Sequence, residues 1–466
     1  MANSVLTKVF SSNGNRRTMA ISFWLKRASV GTQTTIMGTG STGSINSFIR
    51  FEPSGALKIF DYNGQAGQWI VQTSRLLLDC SSWYHLHFIL DSTQSTPADR
   101  VQIWINGERE TYLSSPTYPN QNTDFNWNSA AQSWGIGCQR YGGSNSQFFD
   151  GQLAHINFVD GTASACTVFG QTDSTTGEWK PILSPSVTYG DEGFFLKFEA
   201  ASALGTDSSG NSNTFTVSGN LKQSISTVSN LFATFNPNHS GAGQQNVISV
   251  GGTQIDHAND SYTSKITCAT LGMNKGKWYW ETKYSTQGGY LYVGFVRNGG
   301  LDSSKNIRES KALGDGDDAN SWAFQAGNST GQIQKKLRHN NATSVADMGV
   351  TPANGSIIQC WLDLDNGKVW WGFNGTVMNS GSGVGVPNTG AYPHFTFTVG
   401  DEFYLPAVSL FGFNGAPQCQ ANFGEGRFGT SALSSGVNDN GGNGTFEYSP
   451  LAGFYSICTK NIKDYG

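Results

Sequence analysis

Glu108 and Glu110 around Arg109, and Asp363 and Asp365 around Leu364, are acidic pairs that stand two apart beside hairpin turns. Two neighbouring carboxylates are the raw material of glycoside hydrolysis, which needs one as acid and one as base or nucleophile. Both pairs sit beside hairpin turns, Asn106-Gly107 and Asn366-Gly367, where carboxylates commonly cap backbone amides or stay in water. His85 and His87 flank Leu86 in WYHLHFILD and so face one side of a strand. They would hold a metal only with a third ligand, whereas packing or hydrogen bonding needs none. The seven cysteines (80, 138, 166, 268, 360, 419 and 458) are scattered and form no CxxC or Cys/His cluster of the zinc-binding kind.

Aromatic rings set among amides carry a different chemistry. Sugar C–H faces stack on rings, while Asn, Asp and Gln satisfy hydroxyls. Tyr118, Phe125, Trp127, Trp134 and Tyr141 lie among Asn, Gln and Ser, and Asp61, Tyr62, Asn63 and Trp69 form a second group. Further along, Trp322, Lys335, Lys336, Arg338, His339 and Tyr392 fall in or near loops expected at one rim. From these, the residues expected to bind ligand are Tyr62, Trp69, Trp127, Trp134, Tyr141, Trp322, Lys335, Arg338 and Tyr392. A core role is the competing reading for the aromatics, and a solvated strand end for the three cations.

The elements that must position these residues are strands. AISFWLKR (20–27), WYHLHFILD (83–91), VQIWING (101–107), FFDGQLAHINFVDG (148–161) and GFFLKFE (193–199) punctuate the first half. In SIIQCWLDLDNGKVWWGFNG (356–375), Ile358, Cys360, Leu362 and Leu364 alternate with Gln359, Trp361, Asp363 and Asp365, the period of a two-faced strand. That hairpin reads as a sandwich edge. Gly is frequent at 58 residues and charged residues are few at 13%, which favours short strands and many turns over helices. The chain therefore reads as all-β, two tandem antiparallel β-sandwiches over 1–225 and 226–466, with the polar stretch 204–235 joining them. The Gly/Asn-rich segment 434–446 reads as a loop. A net charge of −4 argues against nucleic acid as a partner. The N-terminus has no apolar run of signal-peptide length and no stretch is long and apolar enough to span a bilayer, so synthesis in a cytosol and no membrane partner are expected.

GKWYWETKY (276–284), GYLYVGFV (289–296), the 356–375 hairpin, FYLPAVSLFG (403–412) and QANFGEG (420–426) occur in the order and spacing of a SPRY domain, which this half resembles. The resemblance implies a β-sandwich that binds partners through its loops and performs no catalysis. The phrases of the first half resemble the LamG-like (concanavalin-A-like lectin/glucanase) jellyroll. That fold also hosts glucanases, whose catalytic carboxylates lie on one strand as ExDxE or ExDxxE; neither motif is present here. LamG-like domains often hold a rim Ca²⁺, which the resemblance places at Asp150 and Asp160, each in an Asp-Gly turn that turn chemistry explains equally well. No other cofactor is expected.

The tandem itself, with LGTDSSGNSNTFTVSGNL between the modules, resembles virion structural proteins of tailed bacteriophages. It implies a non-enzymatic tail-fibre or spike adhesin, placed in the virion on the tail rather than on the capsid surface. Its implied partners are host-surface carbohydrate and other virion proteins, in a homo-oligomer, most simply a trimer. A capsid decoration or head-fibre protein and a glycan depolymerase are the alternatives.

Overall fold

The computed structural model describes residues 4–40, 46–62, 68–130, 132–240, 246–257, 264–286, 288–297, 312–315, 319–329, 332–412 and 415–466. It is 48% strand and 5% helix, which makes the chain all-β as its alternation and turn chemistry predict. Two compact units divide it, Met1–Ser229 and Asn230–Gly466.

The first unit packs two antiparallel sheets. One runs in the order Thr216–Ser218, Val5–Val9, Ser133–Ile136, Thr34–Gly40, Asn46–Phe51, Ala56–Tyr62 and Gln68–Leu76. The other runs Phe194–Leu196, Gly151–Asp160, Thr18–Arg27, Tyr84–Asp91, Val101–Ile105 and Glu108–Arg109. Alternation decides what they bury: Met19, Ile21, Phe23 and Leu25 enter the core between the sheets, where Leu86, Phe88 and Leu90 meet them. The other face of the same strands is also covered. Ser22, Trp24, His85 and His87 are buried there beneath Phe169 and Trp179. The polar stretch after residue 204 is likewise part of this unit, since Phe215 enters the core and Thr216–Ser218 pairs with Val5–Thr7.

Asn106 and Gly107 both have positive φ, 50° and 85°, and close a two-residue hairpin between Ile105 and Glu108. Asn and Gly adopt that geometry at low steric cost, which fixes where Glu108 and Arg109 emerge.

The second unit repeats the layered plan with different strands. Its first sheet runs Phe235–Ser240, Ser264–Ala269, Tyr404–Gly412, Gly289–Arg297, Ser321–Ser329, Gln332–His339 and Ala342–Val345. The second runs Asn246–Ser249, Gln254–His257, Gln418–Asn422, Lys277–Thr286, Ile357–Asp363, Lys368–Phe373 and Thr376–Val377, with Phe395–Thr396 paired to Lys368–Phe373. Ile358, Cys360 and Leu362 face the core as the alternation requires.

The expectation of a sandwich edge at 356–375 is corrected. Strand Ile357–Asp363 lies between two others and is buried along its whole length. The cause is a strap formed by residues 446–455, which covers the outer face: Tyr279, Trp361, Trp370, Phe446 and Phe454 form one buried cluster. The strap is tied by Trp361 Nε1–H to Pro450 O (2.7 Å) and by paired backbone bonds between Tyr455 and the 277–279 strand. The segment 434–446 is correspondingly more than a loop. Val437–Asn438 pairs with Thr445–Phe446, and buried Asp439 accepts from the Asn443, Gly444 and Ser456 amides and from Asn461.

Candidate functional site

In the first unit, Gln68–Leu76 and Glu108–Arg109 are the last strands of their respective sheets. After Arg109 the chain crosses from one to the other: Ser74 N bonds Tyr112 O (2.7 Å), Ser114 N bonds Gln72 O (2.8 Å), and Ile70 and Thr117 exchange both bonds. The crossing bridges the sandwich side and leaves a cleft of about 450 Å³, bordered by Ser74, Arg75, Glu108, Arg109, Glu110 and Tyr112.

Glu110 is the fixed point of this cleft. Its side chain is only 7% exposed; Oε1 accepts from Tyr112 N (2.7 Å), and Oε2 lies 3.5 Å from Arg75 Nε. The Arg75 side chain is 52% exposed. Arg109 is held differently, Nη2 donating to Ala98 O and Asp99 Oδ1, both at 2.8 Å. Glu108 is exposed and Tyr112 is 77% exposed, so a carboxylate and a phenol ring face solvent at the same cleft. A guanidinium, carboxylates, hydroxyls and a bare ring form a recognition set for a polar ligand with an apolar face.

Most of the expected aromatic ligands lie elsewhere. Trp69, Trp127 and Trp134 are corrected to core residues: all are buried in the main cluster of the first unit, with no ring face left for a sugar. Phe125 is buried with them, and Tyr118 packs against the same cluster. The amides between them serve internal carboxylates. Asn126 N contacts both Asp61 oxygens at 3.3 Å, while Asn128 Nδ2 donates to Asp160 Oδ1 at 2.6 Å. Burial raises Asp61 to about 6, opposed by its bonds from Ser47 and Asn126. Tyr62 is half-buried, its carbonyl accepting from Asn126 Nδ2 (2.6 Å), and Asn63 lies outside the described residues. Tyr141 stands exposed on the hairpin Gln139–Tyr141/Ser144–Ser146, apart from the buried indoles.

His85 and His87 are fully buried. Ser22 Oγ lies 2.8 Å from His85 Nε2, the spacing of a nucleophile and its base, but Trp179 Nε1–H donates to His85 Nδ1 at 2.8 Å. An indole can only donate, so Nδ1 holds the lone pair and the neutral ring carries its hydrogen on Nε2, facing Ser22. In that tautomer His85 donates to Ser22 and cannot take its proton. Burial, then the neighbouring His87, hold His85 well below the ordinary imidazole range, and burial pushes His87 down to about 3.

A shared calcium site at Asp150 and Asp160 is also corrected. The two residues bracket the ten-residue strand Gly151–Asp160, which holds them about 30 Å apart. Asp160 accepts from Asn15 N (2.7 Å), Asn128 Nδ2 (2.6 Å) and Glu192 N (3.3 Å), donors that a cation would have to face. Asp363 and Asp365 prove to be turn anchors. Asp363 accepts from Asn366 N and Nδ2 and pairs with Lys277 (3.2 Å), while Asp365 accepts from Gly276 N (2.9 Å).

In the second unit the expected rim cluster does not assemble. Trp322 is buried in a stack between Phe295 (4.9 Å) and His339 (4.7 Å). Lys335 and Arg338 differ by an odd number of positions on one strand and point to opposite faces. Each already has a carboxylate partner, Asp347 at 2.9 Å and Asp315 respectively. Lys336 points with Arg338, away from Lys335. Of the candidates in this half, Tyr392 alone is exposed, at 51%; its ring lies over Gly383, and Val384 and Val386 are exposed in the same segment.

Arg75 and Tyr112 were not among the residues expected from sequence, because their signal is convergence across two sheets. Glu108, Arg109 and Glu110 were singled out there, as an acidic pair beside a turn.

Residues 3–169 match the family described as the concanavalin A-like lectin/glucanases superfamily, and residues 277–425 match the SPRY domain. The chain thus carries a LamG-like domain followed by a SPRY domain, modules that fit a carbohydrate- or protein-binding role. Among solved structures, the SPRY domain of human HERC1 is similar at 17% identity over 40% of this chain and 96% of that one, with a TM-score of 0.28. The TRIM65 PSpry domain is similar at 15% identity over 41% of this chain and 91% of that one, TM-score 0.28. A native heptameric SAP-like pentraxin from Limulus polyphemus is similar at 14% identity over 35% and 71%, TM-score 0.27.

Proposed function

We propose that this chain is a non-enzymatic virion protein of a tailed bacteriophage, a tail-fibre or spike adhesin that binds host-surface glycan. The observation that carries the glycan reading is the cleft in the LamG-like unit, where exposed Tyr112 stands beside Arg75, Glu108 and Glu110. The virion setting rests on the resemblance of the tandem order and its joining phrase to phage structural proteins. Binding without turnover agrees with a Glu110 already engaged by Tyr112 N and Arg75, and with the His85 tautomer. Single-site contacts of this size are weak, so a homo-oligomer, most simply a trimer, would raise them to useful avidity.

The purified chain should bind host glycans on an array and, added free, should reduce phage adsorption. Tyr112→Ala should weaken glycan binding about tenfold (about 1.4 kcal/mol) while shifting folding stability by less than about 0.5 kcal/mol, as expected for an exposed side chain. No array binding together with undiminished adsorption would sink the adhesin reading. Shortened chains after incubation with host polysaccharide would sink the non-enzymatic one.

A second reading, a capsid decoration or head-fibre protein that grips other virion subunits, draws support from the Val384, Val386 and Tyr392 hairpin. A φ of 48° is an uncommon backbone choice for a bulky residue, and the exposed ring lies over Gly383 in a segment that also exposes Val384 and Val386. Copy number separates the readings: parity with the capsid subunits favours decoration, and the few copies that a tail carries favour the adhesin.

A further inference from the structure

The groups in the LamG-unit cleft are arranged for an anionic ligand, and we infer that its ligand is an acidic sugar, a glycan residue bearing a carboxylate such as a uronic acid. The inference rests on the glycan reading above and narrows it to a class.

Its basis is the way Arg75 is held. Glu110, almost fully buried and fixed by the Tyr112 amide, stands 3.5 Å from Arg75 Nε. That contact orients the inner edge of the guanidinium and leaves Nη1 and Nη2 without a partner among the described residues, on a side chain that is half exposed at the cleft. Two parallel N–H groups in a rigid plane match the two oxygens of a carboxylate, a geometry that an ammonium cannot reproduce. Arg109, the other cation of the cleft, is already committed to Asp99 and Ala98 O, so the recognition charge belongs to Arg75. The rest of the lining suits the remainder of a sugar: the bare Tyr112 ring for a C–H face, and Ser74 and Glu108 for hydroxyls. A neutral sugar would leave the Arg75 fork to water, and a cationic amino sugar would be repelled by it.

The test titrates the full chain with a glucuronate-containing oligosaccharide and with the same oligosaccharide after reduction of its carboxyl to a hydroxymethyl group. Wild type should bind the acidic form at least about tenfold more tightly. Arg75→Gln should abolish that preference. Arg75→Lys, which keeps the charge and loses the fork, should lose most of it, and both variants should melt with wild type. Equal affinity for the two forms would overturn the acidic class while leaving the glycan reading in place. A preference fully retained in Arg75→Lys would overturn the bidentate assignment. Failure of wild type to bind either form, on an array that spans neutral and acidic glycans, would remove both this inference and the reading beneath it.

Discussion

Replacing Trp134 by Ala is expected to destabilise the first unit by about 3–5 kcal/mol, the usual cost of deleting a buried aromatic ring. Trp134 is completely buried, with Phe158 at 5.0 Å, Trp127 at 5.4 Å, Phe194 at 5.8 Å and Phe10 at 5.9 Å between ring centroids. Phe158 and Phe194 lie on the second sheet, Phe10 just past strand Val5–Val9 of the first and Trp127 in the 118–130 segment, so removing the indole opens a cavity where several parts of the unit meet. The surrounding rings are large and mutually wedged, which limits collapse into the space. Urea unfolding followed by a probe in the first unit should show a lowered midpoint with the slope unchanged. A Trp134→Ala variant of native stability that has lost glycan binding would return the residue to the ligand surface and contradict its core placement.

The second large effect concerns Glu281, the carboxylate of the WYWE strand. It is fully buried and accepts from Tyr279 Oη (2.9 Å), Tyr448 N (2.8 Å), Glu447 N (2.9 Å) and, at 3.4 Å, Asn422 Nδ2. Two of these donors belong to the strap, so one side chain fastens the strap to the sheet. Burial raises its carboxyl to about 7, against the opposing pull of the same hydrogen bonds. The folded state therefore retains a proton that the unfolded chain releases near pH 4.5. The resulting stability is fully present below that pH and is lost as pH rises through about 7, a change of about 3 kcal/mol.

Glu281→Gln cannot titrate and should remove this slope from the second unit. Unfolding wild type and variant at pH 4.5 and pH 8 reads the difference directly, and parallel slopes would contradict the assignment. Asp61 shifts in the same direction but lies in the first unit, so a probe confined to the second unit keeps the two apart. Glu281→Ala should do more, leaving the Glu447 and Tyr448 amides unpaired at about 1–3 kcal/mol each and speeding their hydrogen exchange.

The strands and their core faces were legible because period-two alternation and Asn-Gly turns are local signals. Ile358, Cys360 and Leu362 face inward as their spacing requires. What covers the opposite face was not legible. Trp361 and Tyr279 look like surface aromatics until the strap, far away in sequence, closes over them. The same ambiguity misplaced Trp127 and Trp134. Their Asn and Gln neighbours suggested a sugar-binding loop, yet Asn126 and Asn128 are themselves buried, holding Asp61 and Asp160. Aromatics and amides are the shared vocabulary of lectin surfaces and of buried polar networks, and composition cannot separate the two uses. The cleft was hidden for another reason: Arg75 and Glu110 meet only because the 110–117 segment crosses between sheets.

The most direct measurement is a crystal structure of the chain with a host-derived acidic oligosaccharide bound. A sugar lying on the Tyr112 ring, with its carboxylate across both Nη groups of Arg75, is the expected result. A sugar seated elsewhere, on Tyr141 or on the Tyr392 hairpin, with the 74–75/108–112 cleft left to solvent, would contradict the account.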